Sequence, residues 1–505
     1  MRIFDRTRSA ILLAATMLAT TTVALPAWAA TLRLGVPQDA LTVDPIASSD
    51  NPSIWTELLI YDQLVRPSKD GTKLEPSLAE SWTVAPDGKE FRFHLRDATF
   101  SNGQKVTAAD VAFSLKRAAG EKSEWGRFFR PITSYEVVDD NTIVMKLDKP
   151  FTPMLNNLAM FSASILPANL VQEHGDKFFE TPVGSGPFIL KSWSRGQRQE
   201  LVRNPGYWQA GKPALDGVVV EVVPEDNSRV LKLKAGELDA IIGVPVNQAD
   251  SLRNDPAIQV GVAPVFRIDM VQLNNSKPPF NDVRVRQALN YALDKDALIK
   301  GILRGNATPA SSSIPVMAYH NTAIQPYPMD LVHAKALLTE AGLPNGFKST
   351  MLVAGGDTTG RQVAAAIQAL LKKTGIEIEI RTIEGSSLFS TTKTGNYEMA
   401  LSHATSDTID PDQSIGFTAV NPERANAYHT QWRDDRVNEL YAEERTTPDG
   451  PERGKLFQEM EARIHDGAPF IFLWTPNELF ATRKTVTGFA ILPTANYDLT
   501  DVTMR

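Results

Sequence analysis

The chain has 505 residues, of which 42% are hydrophobic and 8% aromatic, a formal net charge of −7 at pH 7, and no cysteine. This composition is typical of a globular protein with two or three domains. The lack of cysteine excludes disulfides, thiolate metal sites and a lipid-anchoring cysteine, and the negative charge argues against nucleic acid or an anionic membrane surface as a partner.

The first residues are typical of a secretory signal peptide. Arg2, Arg6 and Arg8 precede an uncharged run that ends in Ala27-Trp28-Ala29, a small-x-small cleavage pattern. We therefore predict a cleaved signal over residues 1–30 and a periplasmic location. No later segment has the roughly 18 consecutive apolar residues of a membrane helix, so we do not expect the chain to span a membrane.

Strand and helix patterns alternate along the rest of the chain, which predicts a mixed α/β fold. Period-two alternation predicts strands over residues 91–95 and 142–147, and Thr107 with Asp110 resembles a capping box that opens a helix. Apolar residues at helical spacing predict later helices over 282–295, 333–341 and 362–373. Gly375 separates the last of these from a strand over 376–380. We place crossovers between two lobes near 265–275 and 482–488.

Patterns for catalysis or metal binding are missing. The sequence has no Gly-x-Ser-x-Gly, no His-Glu-x-x-His, and seven histidines at spacings that form no zinc pattern. Residues 206–212 have Walker A spacing, but Pro213 stands where a hydroxyl must hold magnesium. Pro187 follows Gly184-Ser185-Gly186 and removes a backbone N–H that an anion cradle needs. We expect no enzyme activity, no catalytic residue, no cofactor and no metal.

The most specific feature is a set of sequence blocks in a fixed order. They are Leu74–Trp82, Phe91–Arg96, Phe100–Gly103, Thr107–Ser114, Gly184–Phe188, Asn204–Trp208, Lys234–Asp239 and Pro279–Asp294. Together they resemble bacterial solute-binding proteins of family 5, the oligopeptide-binding and dipeptide-binding proteins of ABC importers. The resemblance spans nearly the whole chain after residue 30.

This resemblance implies a class C periplasmic binding protein fold: two α/β lobes, a ligand cleft between them and a small extra subdomain on the first lobe. Lobe I would comprise residues 31–266 and 484–505, with the subdomain at about 73–179, and lobe II residues 267–483. The resemblance also implies a monomer that binds a peptide or peptide-like ligand and delivers it to permease and ATPase subunits on separate chains.

The same resemblance suggests ligand-binding residues. Asp407 occupies the place of the aspartate that binds the ligand amino group in peptide-binding members, with a helix-cap role as the structural alternative. Thr405 and the segment Asp39, Ala40 and Leu41 match positions whose backbone lines the cleft. Asp410, Asp412 and His403 suggest a cation site, but Asp410-Pro411-Asp412 is ordinary turn chemistry, and we favour the turn.

The chain departs from the family pattern at two places. Residues 353–356 read Val-Ala-Gly-Gly where dipeptide-binding members carry a carboxylate-binding arginine, and Ala404 replaces an aromatic residue. We therefore expect longer or modified peptides, with Arg361 and Arg424 as candidate substitute cations. The alternative within this fold is a non-peptide solute such as an opine, an oligosaccharide or a nickel chelate. A periplasmic peptidase or chaperone is the alternative from another class.

Overall fold

The computed structural model describes residues 30–420 and 428–505. The predicted signal peptide therefore lies outside the described residues, apart from Ala30. Within the described ranges, no helix is both long enough and apolar enough to cross a bilayer.

Most of the strands belong to one large sheet. The strands of the described residues are, in chain order, β1 (Thr31–Val36), β2 (Val65–Pro67), β3 (Leu74–Pro76), β4 (Ala79–Val84), β5 (Glu90–Leu95), β6 (Ile132–Asp139), β7 (Thr142–Leu147), β8 (Phe188–Ser194), β9 (Arg198–Arg203), β10 (Gly217–Val222), β11 (Ala240–Ile242), β12 (Ile258–Pro264), β13 (Arg267–Leu273), β14 (Ala307–Pro309), β15 (Lys348–Ala354), β16 (Glu377–Ile383), β17 (Met399–Thr405), β18 (Phe470–Arg483), β19 (Val486–Thr487) and β20 (Thr503–Met504).

Helices alternate with these strands and cover the sheet. In chain order they are α1 (Asn51–Ile60), α2 (Ala108–Ala119), α3 (Met154–Asn157), α4 (Ala168–His174), α5 (Asp226–Ala235), α6 (Ala249–Arg253), α7 (Val283–Tyr291), α8 (Lys295–Gly301), α9 (Leu331–Glu340), α10 (Thr358–Leu371), α11 (Gly385–Lys393), α12 (Pro411–Thr418), α13 (Asp435–Glu444) and α14 (Pro451–Gly467).

One long strand, β18, is shared by two halves of the large sheet. Neighbouring strands follow the order β16, β15, β17, β13, β18, β11, β1, β10, β9 and β8. The first part of β18 pairs antiparallel with β13 and β14, and its second part pairs antiparallel with β11 and β12. In the outer strands, β15 runs parallel to β16 and β17, and β1 runs parallel to β10 and β11.

A smaller antiparallel sheet with the order β4, β5, β7 and β6 has its own core. Phe93 and Ile143 from this sheet pack with Val111 and Leu115 of α2, and all four side chains are fully buried. Separate buried clusters lie on the two halves of the large sheet. The limits of lobe I, its subdomain and lobe II stay a prediction.

Local signals in the sequence predict several elements well. β7 covers residues 142–147 as predicted, and both hydrogen bonds of the capping box between Thr107 and Asp110 are present at the start of α2. α9 and α10 begin earlier than predicted because the carboxylates of Asp330 and Asp357 cap them.

The prediction of one helix over 282–295 is wrong. The first helix, α7, ends at Tyr291, and the Asp294 carboxylate accepts a hydrogen bond of 2.9 Å from the Ala297 N–H to start α8. Ala292 and Leu293 keep the apolar spacing because both are buried in the same core, so the pattern runs across a helix end.

An ion cluster around Arg453 fixes the start of α12. The side chain of Arg453 is fully buried, and its guanidinium donates to both Asp410 carboxylate oxygens at 2.7 and 2.9 Å and to Glu444 at 2.8 and 3.0 Å. It also donates to Asp449 at 2.7 Å. Asp410 in turn accepts from the Asp412 N–H at 2.9 Å, which caps α12. The segment that the sequence analysis interpreted as a turn therefore begins a helix, with Asp410 as its N-cap.

Replacing Arg453→Met is expected to lower the free energy of unfolding by about 3–5 kcal/mol, because it leaves the buried carboxylates of Asp410 and Glu444 without their cation. The matched control is Arg436→Met, since Arg436 pairs with the exposed carboxylates of Glu439 and Glu459, and its loss should change the free energy of unfolding far less. Urea denaturation of the two variants measures the difference, and equal losses would contradict the assigned role of Arg453.

Candidate functional site

Two cavities meet at Asp407. The first encloses about 1030 Å³, including open solvent, and is lined by residues of α1, β2, β3, the 159–209 region and the 492–501 segment. The second encloses about 370 Å³ and is lined by Trp125, residues near 313–315 and residues of the 404–418 segment. Of the described residues, Asp407 alone lines both. This position makes it the centre of the candidate site.

The loop between β17 and α12 holds Asp407 through the side chain of Gln413. The Gln413 amide oxygen accepts from the backbone N–H of Asp407 at 2.7 Å and of Thr408 at 3.1 Å. The Gln413 amide nitrogen donates to the Asp407 carboxylate at 2.9 Å. Preceding this loop, the Ser406 N–H donates to the Phe266 carbonyl at 2.8 Å, which ties the loop to the chain just before β13. The carboxylate therefore has a defined position before any ligand binds.

The Asp407 carboxylate has no cationic partner among the described residues. Burial raises its pKa to about 6, and the hydrogen bond from Gln413 opposes that rise only in part. A buried carboxylate without a positive neighbour is unfavourable in its ionised form, and such groups cluster at functional sites. Asp407 can therefore accept a cation or a proton donor from a ligand.

Thr405 lies at the end of β17 and lines the second cavity with Ala404. The small Ala404 side chain faces a cavity whose aromatic walls are Trp125 and Phe417. The Trp125 indole N–H donates to the Ser48 carbonyl at 2.8 Å, which fixes its ring. The sequence analysis predicted neither aromatic residue. Trp125 is remote from Ala404 along the chain, and Phe417 lies in an ordinary helix, α12.

The first cavity contains charged residues that the sequence analysis also missed. Arg66 and Asp62 line its wall together with Gln209. The Asp62 carboxylate accepts from the indole N–H of Trp208 at 3.2 Å, and burial raises its pKa to about 7. These residues come from two distant parts of the sequence, so no local pattern connects them.

Asp39, Ala40 and Leu41 lie on the loop after β1 and line neither cavity that Asp407 lines. The Asp39 carboxylate accepts from the Gly196 N–H at 2.7 Å and from the Trp193 indole at 3.1 Å. The side chain of Leu41 is exposed, but its backbone N–H donates to a Ser53 hydroxyl and its carbonyl accepts from Arg195. The structure does not bring this segment together with Asp407.

The other acidic residues near Asp407 are structural. Asp410 pairs with Arg453, and Asp412 lies 3.0 Å from Arg445. The nearby charge of Arg267 together with burial lowers the pKa of His403 to about 4. In residues 30–420 and 428–505, no group of three or more potential ligands is arranged to hold a metal ion.

Of the two arginines proposed to replace the carboxylate-binding arginine, the structure describes only Arg361. Arg361 is exposed, donates to the Thr358 hydroxyl at 3.1 Å and lines neither cavity at Asp407. Arg424 lies outside the described residues. Neither candidate gains support from the described geometry.

Known proteins similar to this chain are binding proteins of bacterial importers. The chain is 30% identical over 476 residues to the probable D,D-dipeptide-binding periplasmic protein DdpA of Escherichia coli K12, covering 92% of each chain. The periplasmic binding protein DppA of Helicobacter pylori, solved with the peptide STSA, is 30% identical with a TM-score of 0.84, over 94% of this chain and 98% of that one. The binding protein AgaA of A. tumefaciens R10, solved with agropinic acid, is 29% identical with a TM-score of 0.84, over 94% and 99%.

A family model confirms what the sequence blocks suggested. The model described as bacterial extracellular solute-binding proteins, family 5 Middle, matches residues 73–424. The mixed α/β fold agrees with the solved periplasmic binding proteins over 94% of the chain. Members of this family are transport receptors without enzyme activity. The chain therefore belongs to the bacterial extracellular solute-binding proteins of family 5, the ligand-binding components of ABC importers.

Proposed function

We propose that this protein binds peptides with a free amino terminus, either oligopeptides or modified peptides, in the periplasm and delivers them to permease and ATPase subunits on separate chains. The observation that carries the proposal is the partly buried carboxylate of Asp407, which lines both cavities and has no cationic partner among the described residues. In the same proposal residues 1–30 are a cleaved signal, and lobe I (31–266 and 484–505) closes on lobe II (267–483).

A peptide ammonium supplies what Asp407 lacks. A charge-assisted hydrogen bond between an ammonium and a carboxylate is about twice as strong as a neutral one, and it is strongest where water is excluded. Ligand-free protein bears the cost of an unpaired buried charge, and the ligand removes it on binding. Thr405 is the second proposed contact, since it lines the smaller cavity beside Asp407. Any contact from Asp39, Ala40 or Leu41 stays a prediction.

The second candidate is a non-peptide solute bound in the same cleft. It is favoured by the similarity to AgaA, whose solved ligand is agropinic acid, and by the Val-Ala-Gly-Gly sequence at 353–356, which lacks a carboxylate-binding arginine. The two candidates differ in one chemical requirement. A peptide needs its ammonium at Asp407, whereas a solute without an amino group does not.

Native mass spectrometry of the purified protein, before and after partial denaturation, tests the proposal directly. A ladder of short peptides released on denaturation supports the peptide receptor. One non-peptide mass would replace it with the second candidate and leave the importer family unchanged.

Asp407→Asn is expected to weaken binding of a tripeptide and tetrapeptide library by about 10- to 100-fold at pH 7, because it removes the carboxylate that pairs with the ligand ammonium. For the native protein, affinity should fall as the pH drops through about 6, since protonation neutralises Asp407. Titration by calorimetry measures both effects. Asp97→Asn, at an exposed carboxylate that lines neither cavity, is the control, and unchanged binding by Asp407→Asn would overturn the peptide assignment.

The same substitution should stabilise the ligand-free protein. The pKa of Asp407 is about 6 in the folded state against an ordinary value of 3.8, so the folded protein holds its proton more tightly between these pH values. Stability therefore falls as the pH rises from about 4 to 6, and above 6 the full cost of ionisation is present. We expect Asp407→Asn to raise the free energy of unfolding at pH 7 by about 1–3 kcal/mol and to have little effect at pH 3.5. Urea denaturation at both pH values checks the sign.

A further inference from the structure

We propose that Arg66, backed by Gln209, binds the C-terminal carboxylate of a short peptide whose amino terminus lies at Asp407. The inference rests on the proposed function and deepens it, because it defines the ligand as a zwitterion recognised at both ends. Arg66 and Asp407 line the same cavity, whose volume of about 1030 Å³ includes open solvent.

Arg66 is positioned by two neighbours that leave its positive charge available. It lies in the middle of β2, opposite Glu75 of β3. Its guanidinium carbon is 6.0 Å from the ring centre of Trp208. With the Gln209 amide oxygen turned toward the guanidinium, two Arg66 nitrogens donate to that oxygen at 3.1 and 3.2 Å. Arginine has five N–H donors, so three remain, enough for a two-point contact with a carboxylate.

Arg66 and Lys69, two cations that line this cavity, differ in their ion pairs. Both cations line the same cavity, but Lys69 already forms an ion pair with Asp501, which also pairs with Lys212. Among the described residues, Arg66 forms no ion pair with a carboxylate. Its neighbour Glu75 is engaged by Lys73 at 3.6 Å. A planar cation at a cavity wall without an anionic partner is suited to a carboxylate from outside.

The nearby carboxylate of Asp62 compensates this cation only in part. Asp62 accepts from the Trp208 indole and is only 7% exposed. Burial is the largest influence on its pKa and raises it to about 7, so near neutral pH the carboxyl is partly protonated. A second guanidinium, that of Arg96, stacks on the same indole at 3.8 Å and donates to the Ser77 carbonyl. Two guanidinium groups, those of Arg66 and Arg96, therefore lie against one indole beside the cavity, and Asp407 lines the same cavity as Arg66.

Arg66 would take the place of the carboxylate-binding arginine that is absent at 353–356. The family position for that cation lies in lobe II as predicted, whereas Arg66 lies in the predicted lobe I. A ligand held by Asp407 at one end and Arg66 at the other would contact both lobes with its two charged ends. The differential contact that drives closure would then come from the ligand termini rather than from its side chains.

Three forms of one tripeptide and tetrapeptide library test the inference: free termini, acetylated amino termini and amidated carboxyl termini. We expect the native protein to bind the free form about 10- to 100-fold more tightly than the C-terminal amides, measured by native mass spectrometry. Arg66→Gln should lose this preference, binding acids and amides alike, and Arg66→Lys should restore part of it. Arg361→Gln makes the same charge change outside both cavities and should keep the native preference.

Each alternative outcome has a distinct meaning. If the native protein binds amides as tightly as acids, the role of Arg66 is wrong while the peptide receptor stands, and this comparison needs no variant. If Arg66→Gln weakens acids and amides equally, Arg66 has only a structural role. If acetylated peptides bind as tightly as free ones, the assignment of Asp407 fails separately. Binding of no form at all removes both the proposed function and the inference.

Discussion

The backbone pairing of one strand, β18, sets the position of everything around the cleft. Its first part forms backbone hydrogen bonds with β13 and β14, and its second part forms them with β11 and β12. Leaving those buried N–H and C=O groups unpaired would be costly, so the two halves of the sheet are held in one register. The chain crosses between the halves at Phe266, whose N–H donates to Pro493 at 2.6 Å and whose carbonyl accepts from Ser406. The crossover, the C-terminal segment and the loop that carries Asp407 therefore meet at one point.

Three aspartates within six residues have different roles because their neighbours differ. Asp410 lies against the buried guanidinium of Arg453, and Asp412 lies 3.0 Å from Arg445. Among the described residues, the Asp407 carboxylate has only the side-chain amide of Gln413 as a partner. The first two carboxylates are compensated within the protein and anchor α12. The third is held in place by hydrogen bonds and has no counter-charge within residues 30–420 and 428–505, which is the arrangement expected of a binding group.

The sequence predicts a structural feature well when residues close together in the chain determine it. The capping box at Thr107 and the alternation of β7 are local, and the structure agrees with both. The break between α7 and α8 was missed because burial of Ala292 and Leu293 continues the apolar spacing past the helix end. Asp407 was selected through family resemblance, since nothing in its local sequence distinguishes it from Asp410. Arg66 has no sequence signal at all, because its neighbours Trp208 and Gln209 reach it only in the folded chain.

Contacts between the region around the small sheet and the described residues of 410–420 and 428–447 include hydrogen bonds and two arginine–ring contacts, Arg445 with Phe151 and Arg127 with Phe417. The Thr152 N–H donates to the Arg445 carbonyl at 2.8 Å, its hydroxyl donates to the Thr447 carbonyl at 2.8 Å, and the Asn156 amide donates to Asp410 at 3.3 Å. Hydrogen bonds of this kind contribute about 0.5–1.5 kcal/mol each when they replace bonds to water. In the proposed receptor, a ligand ammonium paired with Asp407 would add to these contacts, so closure would depend on whether the correct charge occupies the cleft.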